Sequence, residues 1–267
     1  MVNVKMKFLI IIYISAIALF LTGCGSKKNN ELEPVDVRFE RGMEYFQKKK
    51  YSKSIIEFKF VTFNAPASEI GDDAQFYLAE AHFYSKEYIL AISEYERLVR
   101  IHPESPLVDE SQYKRALCFD ILSPKSYHDQ ENTIKALDAY QEYIEEWPQS
   151  ENKEKAEGRL DKLRFKLAKK VYDAGMQYRK LDECKSSIIY LRQVLDKYYD
   201  SEFAPGARWN IARCEIKLEN WSDALAMLIE IINRNDDSEY LKKAQEVLPE
   251  VRENAEKSEE QALLEDN

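Results

Sequence analysis

One short residue pattern occurs five times along this chain in the same register, and it restricts the fold more than any other feature. Each copy has a small residue, a second small residue twelve positions later (twenty in the third copy) and a bulky apolar residue four positions beyond. The first small residues are Gly42, Ala79, Ala116, Gly175 and Ala212. The second are Ser54, Ala91, Ala136, Ser187 and Ala224, and the bulky residues are Phe58, Tyr95, Tyr140, Leu191 and Leu228. Consecutive copies start 37 residues apart, except that 59 residues separate the third from the fourth.

A repeat of this length is typical of tetratricopeptide (TPR) arrays, in which each unit is a pair of helices. Small residues let two antiparallel helices approach closely, and the bulky residue fills the space beside them. Pro66, Pro103 and Pro148 follow the bulky residue by eight positions in the first three copies, where proline ends the second helix. We therefore predict an all-α fold, a right-handed superhelix of five TPR-like helix-turn-helix units with a long central helix and a C-terminal capping helix.

The repeat register also predicts the individual helices. The expected pairs cover 37–49 and 52–64, 69–85 and 88–101, 106–121 and 132–147, 151–180 and 183–198, and 203–218 and 221–234. The segment SPKSYHDQ (123–130) is inserted inside the third unit, and fourteen further residues lengthen the helix at 151–180. A last helix near 239–247 is expected to cover the open apolar face of unit five.

These elements divide the chain into halves and a tail. The N-terminal half (37–150) contains units one to three, and the C-terminal half (151–248) contains units four and five with the capping helix. The acidic tail (249–267) comes last; the capping helix can end near 247 or continue past Pro249, and the chain from residue 252 onward is expected to fray.

Residues 1–23 have the pattern of an export signal rather than of a folded element. Two lysines precede an apolar stretch at 8–20, which is too short to span a bilayer as a permanent helix. Leu-Thr-Gly-Cys at 21–24 then resembles the cleavage site of bacterial lipoproteins; the alternative is an ordinary secretory signal with a chance cysteine. The resemblance implies cleavage before Cys24, a diacylglycerol on its sulfur and an acylated amino group. Residues 24–36 would form a lipidated tether, and Gly25 in place of aspartate implies passage to the outer membrane.

The charge balance excludes one class of partner. The chain carries a net charge of −9, and loss of residues 1–23 removes two lysines and no acids, which gives −11. This balance argues against nucleic-acid binding and against general electrostatic adhesion to anionic lipid.

The sequence contains no arrangement typical of catalysis or of a metal or cofactor site. The histidines His82, His102 and His128 lie far apart, and no HExxH, paired CxxC, phosphate-binding glycine loop or GxSxG is present. The remaining cysteines, Cys118, Cys184 and Cys214, fall in predicted helices, where free cysteine is usually a buried apolar residue. One disulfide among them is the alternative. We expect a protein that is not an enzyme.

The lipoprotein signal, the tether and five units at a 37-residue step together resemble the BamD family of outer-membrane β-barrel assembly lipoproteins over 35–235. The stretch SPKSYHDQENTIKAL (123–137) resembles the Asp-Gln-containing insertion of members of the Bacteroidetes type, and 151–180 resembles the long central helix of the family. Membership implies exposure to the periplasm, binding to the POTRA domains of the barrel protein BamA and a part in receiving unfolded outer-membrane proteins. It supplies no partner-contact residue position by position.

Side chains of the first helices that face away from the small residues are candidates to line the concave groove of the array. In the N-terminal half these are Phe39, Met43, Phe46, Phe76, Phe83, Tyr84 and Tyr113. We hypothesise that they capture an extended aromatic-rich peptide, such as the terminal strand of an unfolded barrel protein; the alternative is that the rings pack between neighbouring helices.

The same projection in units four and five gives a basic face. Its members are Lys169, Tyr172, Arg179, Lys180, Trp209, Arg213 and Lys217. We hypothesise that it docks an acidic face of a partner such as a POTRA domain, because complementary charge speeds encounter and sets orientation. The alternative is a solvated face with local ion pairs.

Two other binding functions stay open at this point. A different periplasmic TPR lipoprotein could support cell-wall synthesis or division, although such proteins usually lack the 123–130 insertion and the long 151–180 helix. A glycan-binding TPR lipoprotein normally needs a far longer chain.

Overall fold

The computed structural model describes residues 33–234 and 239–265, and all regular structure in these ranges is α-helical. The helices are α1 (Val35–Gln47), α2 (Tyr51–Asn64), α3 (Gly71–Tyr84), α4 (Tyr88–Ile101), α5 (Val108–Leu122), α6 (Glu131–Glu146), α7 (Lys153–Lys180), α8 (Cys184–Lys197), α9 (Ala204–Lys217), α10 (Trp221–Arg234) and α11 (Glu239–Glu265). The all-α prediction is confirmed. The predicted signal peptide, Cys24 and most of the tether lie outside the described residues.

The helices pack in chain order. Each helix contacts the next one along the chain. Further contacts skip one helix: α1 with α3, α7 with α9, and α9 with α11. The apolar interior is correspondingly divided into five clusters strung along the array. Contacts restricted to near neighbours are characteristic of stacked repeats, in which one unit buries its apolar face only against the next.

The repeated small residues lie at the crossing of each helix pair, as the pattern predicts. All ten small positions and all five bulky positions are buried. At Gly175 a β-carbon would lie 2.7 Å from Cγ of Leu191, so this crossing admits glycine alone without a shift of the leucine. The hydroxyl of Ser187 donates a hydrogen bond to the Gly175 carbonyl at 2.9 Å.

Four of the five units turn from first to second helix through one left-handed residue. These residues are Lys49, Lys86, Asp182 and Glu219, with φ of 57°, 63°, 69° and 59°. Each lies seven positions after the first small residue of its unit, and the residue that follows donates its N–H to the carbonyl five residues back. This is the hydrogen-bond pattern of a Schellman cap, which satisfies the last carbonyls of the first helix.

Between units, the chain leaves the second helix in one recurring conformation. Ala65, His102 and Trp147 have φ between −144° and −121° with ψ of 55–59°, outside the α region, and a proline follows each of them. A following proline disfavours the α conformation of the residue before it. Tyr198 has nearly the same angles (φ −137°, ψ 39°) without a proline. Proline therefore reinforces this exit but is not required for it.

The insertion in the third unit is attached to the long helix α7. Lys166 donates hydrogen bonds to the Ser123 hydroxyl at 2.6 Å and to the Pro124 carbonyl at 2.9 Å, and Lys170 donates to the His128 carbonyl at 2.6 Å. Inside the loop, the Gln130 side-chain amide donates to two backbone carbonyls at 2.9 and 3.0 Å. The insertion is therefore an ordered loop that two lysines of the central helix hold in place.

The C-terminal helix follows the longer of its two expected extents, because α11 runs from Glu239 to Glu265 with Pro249 inside it. The expected fraying from residue 252 onward is not observed in the described part of the tail. Val251 and Ala255 are buried, and Val251 shares a core cluster with Leu228. Burial of one apolar stripe outweighs the one backbone hydrogen bond that a proline removes. The described helices include none with the length and hydropathy needed to cross a membrane.

Candidate partner-binding surfaces

The aromatic residues of units one and two meet at the turn end of these helix pairs. The Phe46 ring centroid lies 5.4 Å from that of Tyr77 and 5.8 Å from that of Tyr84. Tyr51 stacks on Tyr84 at 5.5 Å, with 16° between the ring planes. Edge-to-face and offset-stacked rings at these distances stabilise one another beyond their burial. Tyr84 is nevertheless 47% exposed, so the cluster reaches the surface.

A lysine from the third unit lies over this cluster. Lys114 Nζ is 5.0 Å from the Phe83 centroid and 5.9 Å from the Tyr84 centroid. The same atom is 3.0 Å from the buried carboxylate of Glu80, which also accepts a hydrogen bond from the Tyr95 hydroxyl. Burial lowers the pKa of Lys114, but Glu80, with smaller contributions from Tyr84 and Glu110, more than offsets this and raises the pKa above its usual value, so the amine stays charged. The surface therefore offers exposed ring area beside a fixed cation.

The structure separates the predicted groove residues by their burial. Phe76 and Tyr113 are buried among core tyrosines, and Phe39, Met43 and Phe46 are half-buried against the first core cluster. For these five residues, the observed contacts match the alternative that the side chains pack between neighbouring helices. Phe83 is also half-buried, and it lies under the Lys114 amine, so Tyr84 is the member of the set that is exposed.

Sequence reasoning missed three residues of this surface. Tyr51 belongs to a second helix, and Tyr77 and Lys114 lie two positions before the small residues of their first helices. The predicted groove residues lie three residues before or one, four or five residues after the small positions, and none lies two residues before them. An adjacent aromatic pair, Phe76 and Tyr77, was the available signal, since neighbours on a helix point in different directions and can serve both core and surface.

Part of the predicted basic face forms an open cleft between the α7–α8 turn and α9. Arg179, Arg213 and Lys217 line it together with Asp182, around a volume of ≈ 190 Å³. Lys217 forms an ion pair with Asp182, and this hydrogen bond raises the pKa of the lysine. The structure thus brings together three predicted cations, one from α7 and two from α9. It adds Asp182, an acid that the sequence analysis did not include.

The other members of the basic face are divided between solvent and packing. Lys169 is exposed and pairs with Asp173 at 2.8 Å, while Lys180 is exposed at the end of α7. The Tyr172 ring lies 5.3 Å from that of Phe203, and the Trp209 ring lies 6.5 Å from that of Tyr240 of α11. Tyr172 and Trp209 therefore pack partly against the C-terminal elements. The ion pair between Lys169 and Asp173 matches the alternative in which this face is solvated and forms local ion pairs.

The three described cysteines are free and buried. Cys184 and Cys214 lie at the base of the basic cleft, and burial, with Cys184 next to it, raises the pKa of Cys214 to about 12. Burial likewise raises the pKa of Cys118 to about 12. Thiols with such pKa values are poor nucleophiles at neutral pH. Within residues 33–234 and 239–265, no group of three or more His, Cys, Asp or Glu side chains is placed to hold a metal ion.

Comparison with known sequences identifies the family. The profile described as "YfiO: Outer membrane lipoprotein" matches residues 33–207. This chain belongs to that family. It is also similar to the outer membrane protein assembly factor BamD of Rickettsia prowazekii (strain Madrid E), with 27% identity over 184 residues, covering 68% of this chain and 73% of that protein. The BamD of Caulobacter vibrioides is 21% identical over 207 residues, covering 76% of this chain and 68% of that protein.

Solved structures with a detectable likeness are helical-repeat proteins. A tetratricopeptide repeat protein from Parabacteroides merdae covers 82% of this chain and 74% of its own, at 15% identity and a TM-score of 0.36. That score is too low to compare the two arrays helix by helix.

The YfiO match and the two candidate surfaces overlap unequally. Residues 33–207 contain the whole aromatic cluster, the insertion and all of α7. Arg213 and Lys217 lie beyond the matched range, whereas Arg179 and Asp182 lie within it. The YfiO match therefore covers one side of the basic cleft and not the other.

Proposed function

We propose that this chain is a non-catalytic scaffold lipoprotein of the outer-membrane β-barrel assembly machinery, which docks to POTRA domains of a BamA-like barrel protein and helps receive and insert unfolded outer-membrane proteins. The observation that carries the proposal is the YfiO match across 33–207, together with two similar proteins named assembly factor BamD. The geometry supports it, because an aromatic surface and a basic cleft lie in different units and leave room for two partners at once.

The proposed attachment is a lipid on Cys24, in the outer membrane and facing the periplasm. Each buried CH₂ contributes about 0.8 kcal/mol, so two or more acyl chains would give stable anchoring. We expect the intact mass of the mature protein to include acyl chains on a chain that starts at Cys24, and Cys24→Ser to move it out of the membrane fraction. Cys118→Ser is the matched control and should stay in the membrane fraction.

The basic cleft is the proposed docking site for an acidic face of a POTRA domain. We expect Arg213→Glu combined with Lys217→Glu, two exposed residues of the cleft, to reduce co-purification of the barrel protein by about tenfold or more, because charge pairs at an interface govern both encounter and dissociation. Lys185→Glu with Lys197→Glu changes the net charge equally on exposed positions of α8 and should leave co-purification unchanged. Equal loss in both double variants would assign the effect to net charge and remove the docking role of the cleft.

The aromatic surface is the proposed receiving site for an extended aromatic-rich peptide. Tyr84→Ala should weaken binding of a terminal-strand peptide of a barrel protein about tenfold, the usual effect of losing one aromatic anchor. The measurement is a fluorescence titration, with circular dichroism to verify the helical content. Tyr199→Ala, at an exposed tyrosine between α8 and α9, is the control. Unchanged affinity in Tyr84→Ala would place the peptide elsewhere.

Affinity purification from detergent-solubilised outer membrane separates this function from the alternative. A co-purifying BamA-like barrel protein supports the assembly function. Recovery of cell-wall or division proteins without a barrel protein would support the other kind of periplasmic TPR lipoprotein.

A further inference from the structure

One face of α2 exposes apolar and basic side chains together. Ile56 is 62% exposed and Phe63 is 82% exposed. Lys53 and Lys59 are exposed on the same helix, and positions 56, 59 and 63 follow the three- and four-residue spacing of a single stripe. An exposed large apolar stripe of this kind indicates an interaction surface rather than a solvated helix face.

This face carries no acidic side chain. The one acid of α2, Glu57, is buried, and Arg38 and Arg41 of α1 pair with it at 3.1 and 3.0 Å. The other second helices each expose at least one acid to solvent. These acids include Glu96 of α4, Asp138 of α6, Asp196 of α8 and Asp223 of α10. Among the five second helices described, α2 alone combines exposed lysines and rings without a compensating carboxylate.

The position of this face in the chain indicates what covers it. Because α1 and α2 are antiparallel, the start of α1 lies beside the end of α2; the Arg38 guanidinium carbon is 4.2 Å from the centroid of Phe60. From Cys24 to Val35 the chain can reach at most about 40 Å. Acyl chains on Cys24 would therefore keep Val35 within that distance of a bilayer, and the end of α2 that carries Phe63 lies beside the start of α1.

We propose that the exposed face of α2 lies on the phospholipid surface that holds the acyl chains of Cys24. Ile56 and Phe63 enter the interface, and Lys53 and Lys59 contact anionic headgroups, as in amphipathic helices that lie in the plane of a membrane. The inference rests on the proposed lipid anchor. The net charge of −11 left after loss of residues 1–23 does not oppose it, since exposed charges more than about 8 Å away are screened at physiological ionic strength and the nearby lysines dominate.

Two matched positions test the contact. Ile56 and Ile189 both lie two residues after the second small residue of their units, and they are 62% and 60% exposed. The acylated full chain is placed in vesicles of phosphatidylethanolamine and phosphatidylglycerol. Ile56→Cys or Ile189→Cys is labelled with an environment-sensitive dye, and quenching by headgroup spin-labelled lipid is measured. The native cysteines Cys118, Cys184 and Cys214 are buried and should not react.

We expect quenching at position 56 to exceed that at position 189 by at least about threefold, because only the first would lie at the lipid interface. Lys53→Glu with Phe63→Glu should reduce quenching at position 56 to the level at 189. Equal quenching at both positions in acylated protein would overturn the contact while leaving the anchor intact. Shielding at position 56 that requires added barrel protein would also overturn it, in favour of a protein partner. A mature product without acyl mass would overturn the anchor and this inference together.

Discussion

At the scale of single residues, two of the five helix crossings differ from the other three in a correlated way. Units one and four have glycine at the first small position and serine at the second, and the serine hydroxyl donates to the glycine carbonyl at 3.0 and 2.9 Å. The other three units have alanine at both positions. A crossing can therefore be built either from a glycine whose carbonyl accepts a hydrogen bond from a serine hydroxyl or from two buried alanines. Both solutions satisfy the same small-residue pattern.

Two glycines of α7 provide a test of this crossing. Gly175→Ala should lower the free energy of unfolding, because overpacking against buried Leu191 costs about 1–3 kcal/mol and exceeds the helix propensity that alanine gains. Gly158→Ala should raise it by about 0.5–1 kcal/mol, since a β-carbon there meets nothing within 4 Å. Thermal or urea unfolding of both variants measures the difference. Equal shifts in the same direction would contradict the close-packed crossing.

At the scale of elements, the turns between paired helices combine regular geometry with unfavourable residues. All four left-handed turn positions hold lysine, aspartate or glutamate rather than glycine. A side chain in this conformation costs about 1–2 kcal/mol relative to the right-handed form. The positions are exposed, so the array keeps charged residues there at some expense of stability.

Lys86→Gly should therefore stabilise the second unit by about 1 kcal/mol, because glycine adopts the left-handed form without strain. Ser85→Gly, one residue earlier at φ −76°, is the control and should give no gain. The measurement is the urea midpoint at unchanged slope. If Ser85→Gly raised the stability by the same amount, the turn geometry would not be the cause of the gain in Lys86→Gly.

The inserted loop provides a second prediction at this scale. Removing the Lys166 amine by Lys166→Ala should speed amide hydrogen exchange of residues 123–130 about tenfold, as hydrogen bonds to a charged donor contribute about 1.5–3 kcal/mol. Lys162→Ala changes an exposed lysine one turn earlier on α7 and should leave exchange there as it was. Mass spectrometry of peptides from the loop gives the readout. Native exchange rates in Lys166→Ala would mean that the loop orders itself.

At the scale of the whole molecule, stability is distributed along the array rather than held in one core. Each apolar cluster joins neighbouring helices, so the last unit depends on whatever covers its open side. The helix α11 does this, and its second half contributes as well as its first, because Val251 and Ala255 are 2% and 3% exposed.

Truncation after residue 248 should thus destabilise unit five by about 2–4 kcal/mol through exposure of apolar surface. Truncation after residue 261 removes no side chain described as buried and should have little effect. Hydrogen exchange should rise in α9 and α10 of the shorter form, while α1 to α6 keep their protection. Uniform loss of protection across all units would contradict a stability that is local to each repeat.

The sequence by itself determined the helices and their pairing, because small and bulky residues recur at positions that stacked helix pairs use. The sequence also predicted where proline ends the second helices and where the insertion lies, because both depend on local properties of the chain rather than on tertiary contacts. Tertiary structure decided which aromatic rings are buried and which reach the surface. Phe76 is buried and Tyr84 is exposed although both were predicted to line the same groove, and Lys114 lies over rings some thirty residues earlier in the chain. It also extended α11 past Pro249. Burial depends on which neighbour covers a face, and no helical period encodes that neighbour.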